Sequence, residues 1–357
     1  MALSASLQAL LDGFHAGRTT ALARAISLVE DEREGFQDFM HEVLKVGPRT
    51  ARVGFTGPPG AGKSSIVATL ATAYRARGED LGVVAVDPTS PFSGGALLGD
   101  RIRMNELTTD AGIFIRSMAT RGSLGGLATT TKEVMDLMDA FGFARVLVES
   151  VGVGQTELEI TAAADTVVVV LVPESGDAIQ AMKAGLMEIA DVFVVNKADR
   201  PGADRLVKEI RQAIHLRAGS ALRDVPAHHG VDLSRLGGGG SARAVKEKPA
   251  RAEPQGWEIP VLRTVAQSGD GLPDVLEAVD RHREWLTESG ELSVRRRTRA
   301  RVRVQNVVDR ELRRMARHTA ASGGRLEHGL DAIVRGAETP YSVAREVLAD
   351  LLGPESR

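Results

Sequence analysis

Cysteine is absent from this 357-residue sequence, which removes thiolate zinc sites, iron–sulfur clusters, cysteine nucleophiles and disulfide staples from its chemistry. Any catalysis must use oxygen and nitrogen groups. Aromatic residues are also few, at 4%, which leaves little surface for stacking the bases of a single strand. Charge of neither sign dominates: 45 Lys and Arg against 47 Asp and Glu give a formal net charge of −2, with no global pull toward nucleic acid or an anionic membrane. No run reaches about 18 consecutive apolar residues, and Met1 to Arg18 lacks the basic start and apolar stretch of a signal peptide. The chain therefore reads as cytoplasmic, without a membrane span. With 43% hydrophobic residues, and at about 150 residues per domain, it can bury a core as roughly two domains, or as one large domain with additions.

Helical spacing comes first along the chain. Leu7, Leu10, Leu11 and Phe14, then Phe36, Phe39, Met40 and Val43, recur at the i, i+3, i+4, i+7 period of an amphipathic helix. From Arg52 the pattern changes to short apolar, β-branched runs: 52–55, 83–86, 113–115, 146–148, 167–172, 192–195 and 259–262. Most are continuously apolar, as in strands buried on both faces, and the helical stretches between them predict βαβ crossovers. The fold class is α/β, with a mostly parallel central sheet flanked by helices and helical extensions at both ends. Residues 226–257 interrupt this rhythm with Gly237 to Gly240, Pro249 and Pro254, which predicts a mobile surface insertion. Beyond Asp280 the pattern turns helical. Residues 283–315 predict a long charged helix with Val304, Val307, Val308 and Leu312 on a buried face. Thr339-Pro340 predicts an N-cap and N1 proline before a last helix carrying Ala344, Val347, Leu348 and Leu351 on one face.

The segment Gly57-Pro58-Pro59-Gly60-Ala61-Gly62-Lys63-Ser64, followed by Ser65, fits G-x-x-x-x-G-K-[ST] between a predicted strand and a predicted helix. Its glycines let backbone N–H groups close around phosphate oxygens, and the helix N-terminus adds partial positive charge. Lys63 would reach the β- and γ-phosphates, and the Ser64 hydroxyl would bind Mg²⁺. Asn196-Lys197-Ala198-Asp199 follows the run 192–195, at the strand end where doubly wound sheets bind ligands. The Asp199 carboxylate can accept from the N1–H and amine of guanine, which favours GTP and GDP over adenine nucleotides. An ordinary helix N-cap at Asn196 is the competing reading. Asp87, Asp100 and Glu149 follow strands or strand-adjacent loops and are candidate carboxylates for the nucleotide's Mg²⁺, although Asp87 and Asp100 also suit loop capping. Gly152, in Glu149-x-x-Gly152, stands where a γ-phosphate would order the following loop.

Taken together with 86–90, 99–104 and the run Glu149-Ser150-Val151-Gly152-Val153-Gly154-Gln155-Thr156-Glu157, these motifs resemble the MeaB-type GTPases, the methylmalonyl-CoA mutase-associated metallochaperones formerly described as arginine/ornithine transport ATPases. The similarity runs from about Ala21 to the C-terminal helices. The insertion at 226–257 is longer and more glycine-rich than in that family, and the first 20 residues match poorly. The resemblance implies a GTP-hydrolysing chaperone that gates cofactor loading of an adenosylcobalamin-dependent acyl-CoA mutase, methylmalonyl-CoA mutase first, with a cobalamin adenosyltransferase as a further partner. It implies a homodimer with helical arms, Ala266 as a backbone contact to the guanine oxygen, and 173–183 as an extra switch loop. The resulting organisation is a helical extension at 1–45, a P-loop GTPase domain at 46–280 and a C-terminal dimerisation arm at 281–357.

No residue is an obvious water-positioning group on a rigid element; Gln155, in the switch loop, is the candidate. Slow intrinsic hydrolysis follows, with stimulation by a partner. The alternatives are maturation of a different metalloenzyme, with His228-His229 as a metal site, and nucleic-acid association through Arg295, Arg296, Arg297, Arg299, Arg301 and Arg303. The bland reading of the His pair is a solvated loop, and that of the arginines is a solvated helical arm.

Overall fold

The computed structural model describes residues 3–87, 107, 109–119, 129–150, 163–173, 185–220, 256–322 and 325–352. Three helices open the chain, α1 (Ala5–His15), α2 (Thr19–Glu30) and α3 (Phe36–Val43), followed by β1 (Ala51–Thr56), α4 (Lys63–Ala76), β2 (Leu81–Asp87), β3 (Ile113–Ala119), α5 (Thr129–Phe141), β4 (Arg145–Glu149), β5 (Thr166–Leu171) and β6 (Val192–Val195). After these come α6 (Ala203–Ser220), β7 (Val261–Arg263), α7 (Leu272–Glu288), α8 (Glu291–Ser322), α9 (Arg325–Val334) and α10 (Pro340–Leu352). All seven described strands pair in parallel, in the order β3-β2-β4-β1-β5-β6-β7. Each predicted apolar run overlaps one of them. The α/β expectation holds.

Continuous apolar runs succeed here because both sheet faces are covered. In β5, Val167, Val169 and Leu171 enter one core with α1, α2, α3 and α5, whereas Val168 and Val170 enter the other with α4 and α7. That alternation is the two-residue period of a strand made visible. The opening helices belong to the first core: Phe14 meets Phe39 and Phe141 edge-on, at ring separations of 6.2 and 5.3 Å.

Two compact units divide the chain after Arg296. Within the first, charged residues lock the starts of β5 and β6. Asp165 is buried and accepts from the Arg52 backbone N–H (3.1 Å), Arg283 (3.1 Å) and Arg296 (3.4 Å). Asp191 accepts from the Val167 N–H (2.8 Å) and takes two hydrogen bonds from Arg295, both 2.9 Å. His282, fully buried, places Nδ1 2.8 Å from Thr166 Oγ1 and Nε2 3.3 Å from Asp191. Arg295 and Arg296, read from sequence as possible phosphate contacts or a solvated arm, are thus structural cations held by carboxylates. On β1, Arg52 bridges Asp136 (2.9 Å) and Asp139 (2.8 Å) of α5, all largely buried.

Three sequence expectations are corrected at the C-terminal end. The predicted helix at 283–315 is broken at Ser289-Gly290, where Gly290 takes φ +78° and the Ser289 hydroxyl donates to the Trp285 carbonyl at 2.6 Å. Only glycine adopts that left-handed conformation cheaply. The stripe Val304, Val307, Val308 and Leu312, expected to be buried, is exposed in the single chain. In the second unit α9 and α10 pack where Gly329 admits Val343, which is buried, while Ala344 and Leu348 of the predicted face lie outside. The Thr339 cap forms: its Oγ1 accepts from the Ser342 N–H at 3.2 Å.

Candidate functional site

The loop between β1 and α4 sits at the C-terminal ends of the strands. Gly57 has φ +135°, and a Cβ there would lie 1.9 Å from the Val170 carbonyl oxygen of β5. Gly62, at φ +87°, caps α4, and its Cβ would lie 2.2 Å from the Asn196 side-chain nitrogen. A Cβ at Gly57 would run into the backbone of β5 and one at Gly62 into the Asn196 amide, so the loop lies close against the end of β5 and the residue that follows β6. Lys63, largely buried, donates from Nζ to the carbonyls of Gly57 (2.9 Å) and Pro58 (3.1 Å). Its ammonium is curled over the loop. Pro58 and Ala61 are buried, whereas Pro59, Gly60 and Ser65 face outward.

The Ser64 hydroxyl, on the second residue of α4, donates to Glu149 Oε1 at 2.7 Å, and both residues are buried. Glu149 ends β4 directly beside Phe55 of β1. The next residue is pinned twice: the Ser150 N–H donates to the Phe55 carbonyl (3.0 Å), and its hydroxyl to Thr56 Oγ1 (3.0 Å). The carboxylate is therefore held from both sides at a fixed distance from the loop.

Asn196 follows β6 and uses its whole amide as a brace. Nδ2 donates to the Ala61 carbonyl at 2.8 Å, while Oδ1 accepts from Thr264 Oγ1 and the Ala266 N–H, both at 3.1 Å. The loops after β1, β6 and β7 are tied through this one side chain. Lys197 takes φ +55°, and Asp199 is exposed on the same loop. Sequence reasoning named Asn196, Gly62 and Ala266 separately but missed Thr264 and the Thr56–Ser150 pair; nothing in a linear sequence marks a hydroxyl whose partner is 68 or 94 residues away.

Among the other candidates, Asp87 ends β2 with only its backbone described. Asp100, Gly152, Gln155, the loop 174–183 and His228-His229 lie outside the described residues. Among the described residues no three His, Asp or Glu side chains converge as a metal cage. A nucleotide-bound Mg²⁺ does not require one, since it takes one or two protein oxygens with phosphates and waters. The Ser64 hydroxyl and Glu149 carboxylate, two hard oxygen donors side by side, fit that demand.

A phosphate loop, an acidic strand end and an Asn-Lys-x-Asp loop on a parallel sheet are the parts of a P-loop GTPase. Residues 22–321 match the family described as methylmalonyl Co-A mutase-associated GTPase MeaB. The chain belongs to this family. It is a P-loop GTPase, and the family's members are mutase-associated. A Pyrococcus horikoshii protein named as a GTPase is 41% identical over 344 residues, covering 96% of this chain and 98% of its own. The mouse mitochondrial methylmalonic aciduria type A homolog is 34% identical over 313 residues, covering 84% of this chain and 68% of its own. The crystal structure of an LAO/AO transport system kinase, 22% identical, shares the fold at a TM-score of 0.64 and covers 99% of this chain and 100% of its own. Among the described residues no helix is long and apolar enough to cross a membrane.

Proposed function

We propose that this MeaB-family GTPase is a cytoplasmic chaperone that couples GTP hydrolysis to adenosylcobalamin loading and protection of an acyl-CoA mutase, methylmalonyl-CoA mutase first. The observation that carries the nucleotide chemistry is the convergence of Lys63, the Ser64–Glu149 pair and Asn196 within three adjoining loops. The family's mutase association and the mouse relative's name support the choice of partner.

In this reading residues 57–65 wrap the phosphates. Lys63 exchanges two neutral carbonyls for charged phosphate oxygens, a stronger partner for an ammonium. Ser64 and Glu149, with Asp87 and Asp100, hold Mg²⁺, which when bound supplies positive charge to the β- and γ-phosphates. Asp199 reads the guanine edge, and Asn196 and Ala266 fix the loop that faces it. Gly152 answers to the γ-phosphate, and Gln155 orients the water that attacks phosphorus as the bond to GDP breaks. With Gln155 on a partner-dependent loop, intrinsic turnover is slow, and a partner-supplied group is worth about 10³ to 10⁵ in rate.

Residues 46–280 form the nucleotide domain, flanked by helical segments at 1–45 and 281–357. The exposed stripe Val304, Val308, Leu312 and Met315 on α8 supports a homodimer through the C-terminal arm, since these residues recur at the spacing of a helix seam. A cobalamin adenosyltransferase is the further partner. The test is phosphate release from GTP and from ATP, with and without purified methylmalonyl-CoA mutase. GTP turnover should rise with the mutase and vanish in Lys63→Ala with the fold intact. A mutase that leaves turnover unchanged would sink the partner assignment, and unchanged Lys63→Ala turnover would sink the site.

A further inference from the structure

A cavity of about 780 Å³ opens beside β7, the edge strand of the sheet, well within the size of small-molecule sites. None of its described lining residues is one assigned above to the nucleotide. One wall is a single face of α6, where Arg211, Ile214 and His215 stand at i, i+3 and i+4. Arg281 of α7 also lines it, and the floor includes Trp257 and Ile259. The indole is fixed in place: its N–H donates to the Asp191 carbonyl at 2.7 Å, and its ring packs on His282 with centroids 4.7 Å apart.

Among the described residues the lining carries two guanidiniums and an imidazole against one carboxylate, Glu258. Arg211 is held toward the cavity by a long hydrogen bond to the Val261 carbonyl, 3.4 Å. Among the described residues the ion pair of Arg281 is a loose, exposed one with Glu277, 3.7 Å. Cations on separate elements, an apolar floor between them and a rigid indole suit a ligand whose anionic groups are spread along a body that also carries a planar ring. Bare phosphate would leave the apolar floor and the indole unused, and a purely apolar ligand would leave the arginines so.

We propose that this cavity is a second ligand site, separate from the guanine site, for a phosphorylated adenine-bearing molecule of the coenzyme A class. Arg211 and Arg281 would take its phosphates, and Trp257 would stack on its base. The choice of coenzyme A among such molecules draws on the family's mutase association; the cavity's chemistry does not depend on it. A chaperone built this way would sense the acyl carrier on which its partner acts.

The experiment titrates coenzyme A, adenosine monophosphate and inorganic phosphate into the full chain saturated with GDP and Mg²⁺, by calorimetry and indole fluorescence. One coenzyme A should bind per chain and quench fluorescence, with adenosine monophosphate weaker and phosphate weaker still. Arg211→Glu and Arg281→Glu should each weaken coenzyme A about tenfold or more while keeping GDP affinity, which certifies the fold. Absence of saturable coenzyme A binding overturns the proposal, as does equal potency of phosphate, displacement by excess GTP, or full affinity in both arginine variants. Failure of the mutase to stimulate hydrolysis would leave this outcome untouched, so the two readings fail separately.

Discussion

Replacing Asn196 with alanine tests whether this residue is a brace rather than only a contact to guanine. Three hydrogen bonds vanish at once, to the Ala61 carbonyl and from Thr264 Oγ1 and the Ala266 N–H. The three losses differ in cost. The Thr264 hydroxyl can rotate, and the Ala266 N–H is half-buried and within reach of water, so each costs about 0.5–1 kcal/mol. The Ala61 carbonyl belongs to a fully buried residue, and an unsatisfied buried acceptor costs about 1–3 kcal/mol. The sum is about 3 kcal/mol, which at about 2 °C per kcal/mol for a chain of this size lowers Tm by about 6 °C. Urea unfolding of nucleotide-free protein measures this without ligand linkage. Asn196→Asp should fall between, because it keeps both acceptor bonds while setting a carboxylate against the Ala61 carbonyl. If apo stability of Asn196→Ala stays within about 0.5 kcal/mol of the parent while GDP affinity collapses, the brace is wrong and the residue serves the nucleotide alone.

Gly57→Ala forces a Cβ to 1.9 Å from the Val170 carbonyl and should cost more than about 2 kcal/mol and abolish GDP binding; Gly60→Ala, with nothing within 4 Å, should cost only about 1 kcal/mol of backbone strain. Calorimetric GDP titration of the pair decides it. For Ser64→Ala and Glu149→Gln, the Mg²⁺ concentration giving half-maximal hydrolysis should rise about tenfold or more, and an unchanged Mg²⁺ dependence would remove both from the metal site. Burial alone would raise the Asp139 carboxyl, but the Arg52 guanidinium and the Arg49 and Thr50 amides outweigh it and hold it below the ordinary value. Its stabilising contribution is therefore complete above the unfolded pKa of about 3.9 and is lost as pH falls through the depressed folded value. Asp139→Asn should cost about 3–5 kcal/mol at pH 7, as expected for a broken buried pair, and should flatten that part of the acid slope in urea titrations at several pH values.

The strands were legible because a parallel sheet covered on both faces needs continuous apolar runs, and few soluble helices look like 167–171. The phosphate loop was legible because close approach demands glycine at fixed intervals. What the linear pattern hid was everything made by charge across distance. Arg295 and Arg296 look alike with Arg297 and Arg299 in sequence, yet only the fold shows two of them reaching Asp191 and Asp165, 104 and 131 residues away. The valines of α8 obey helical periodicity, which reports that a face is apolar but not what lies against it. The break at Gly290 was visible as a glycine and was outvoted by the charged period on either side.

The locked starts of β5 and β6 decide where this protein can be cut. Asp165 and Asp191 are at most 5% exposed, and their cations arrive late in the chain, from Arg283, Arg295 and Arg296. A fragment ending near residue 280 would contain every nucleotide motif and yet strip these guanidiniums from two buried carboxylates, a far larger penalty than trimming a surface helix. By this reasoning the smallest GTP-binding piece that can stand alone runs past Arg296, and its last indispensable contacts sit at the end of the sheet opposite the nucleotide.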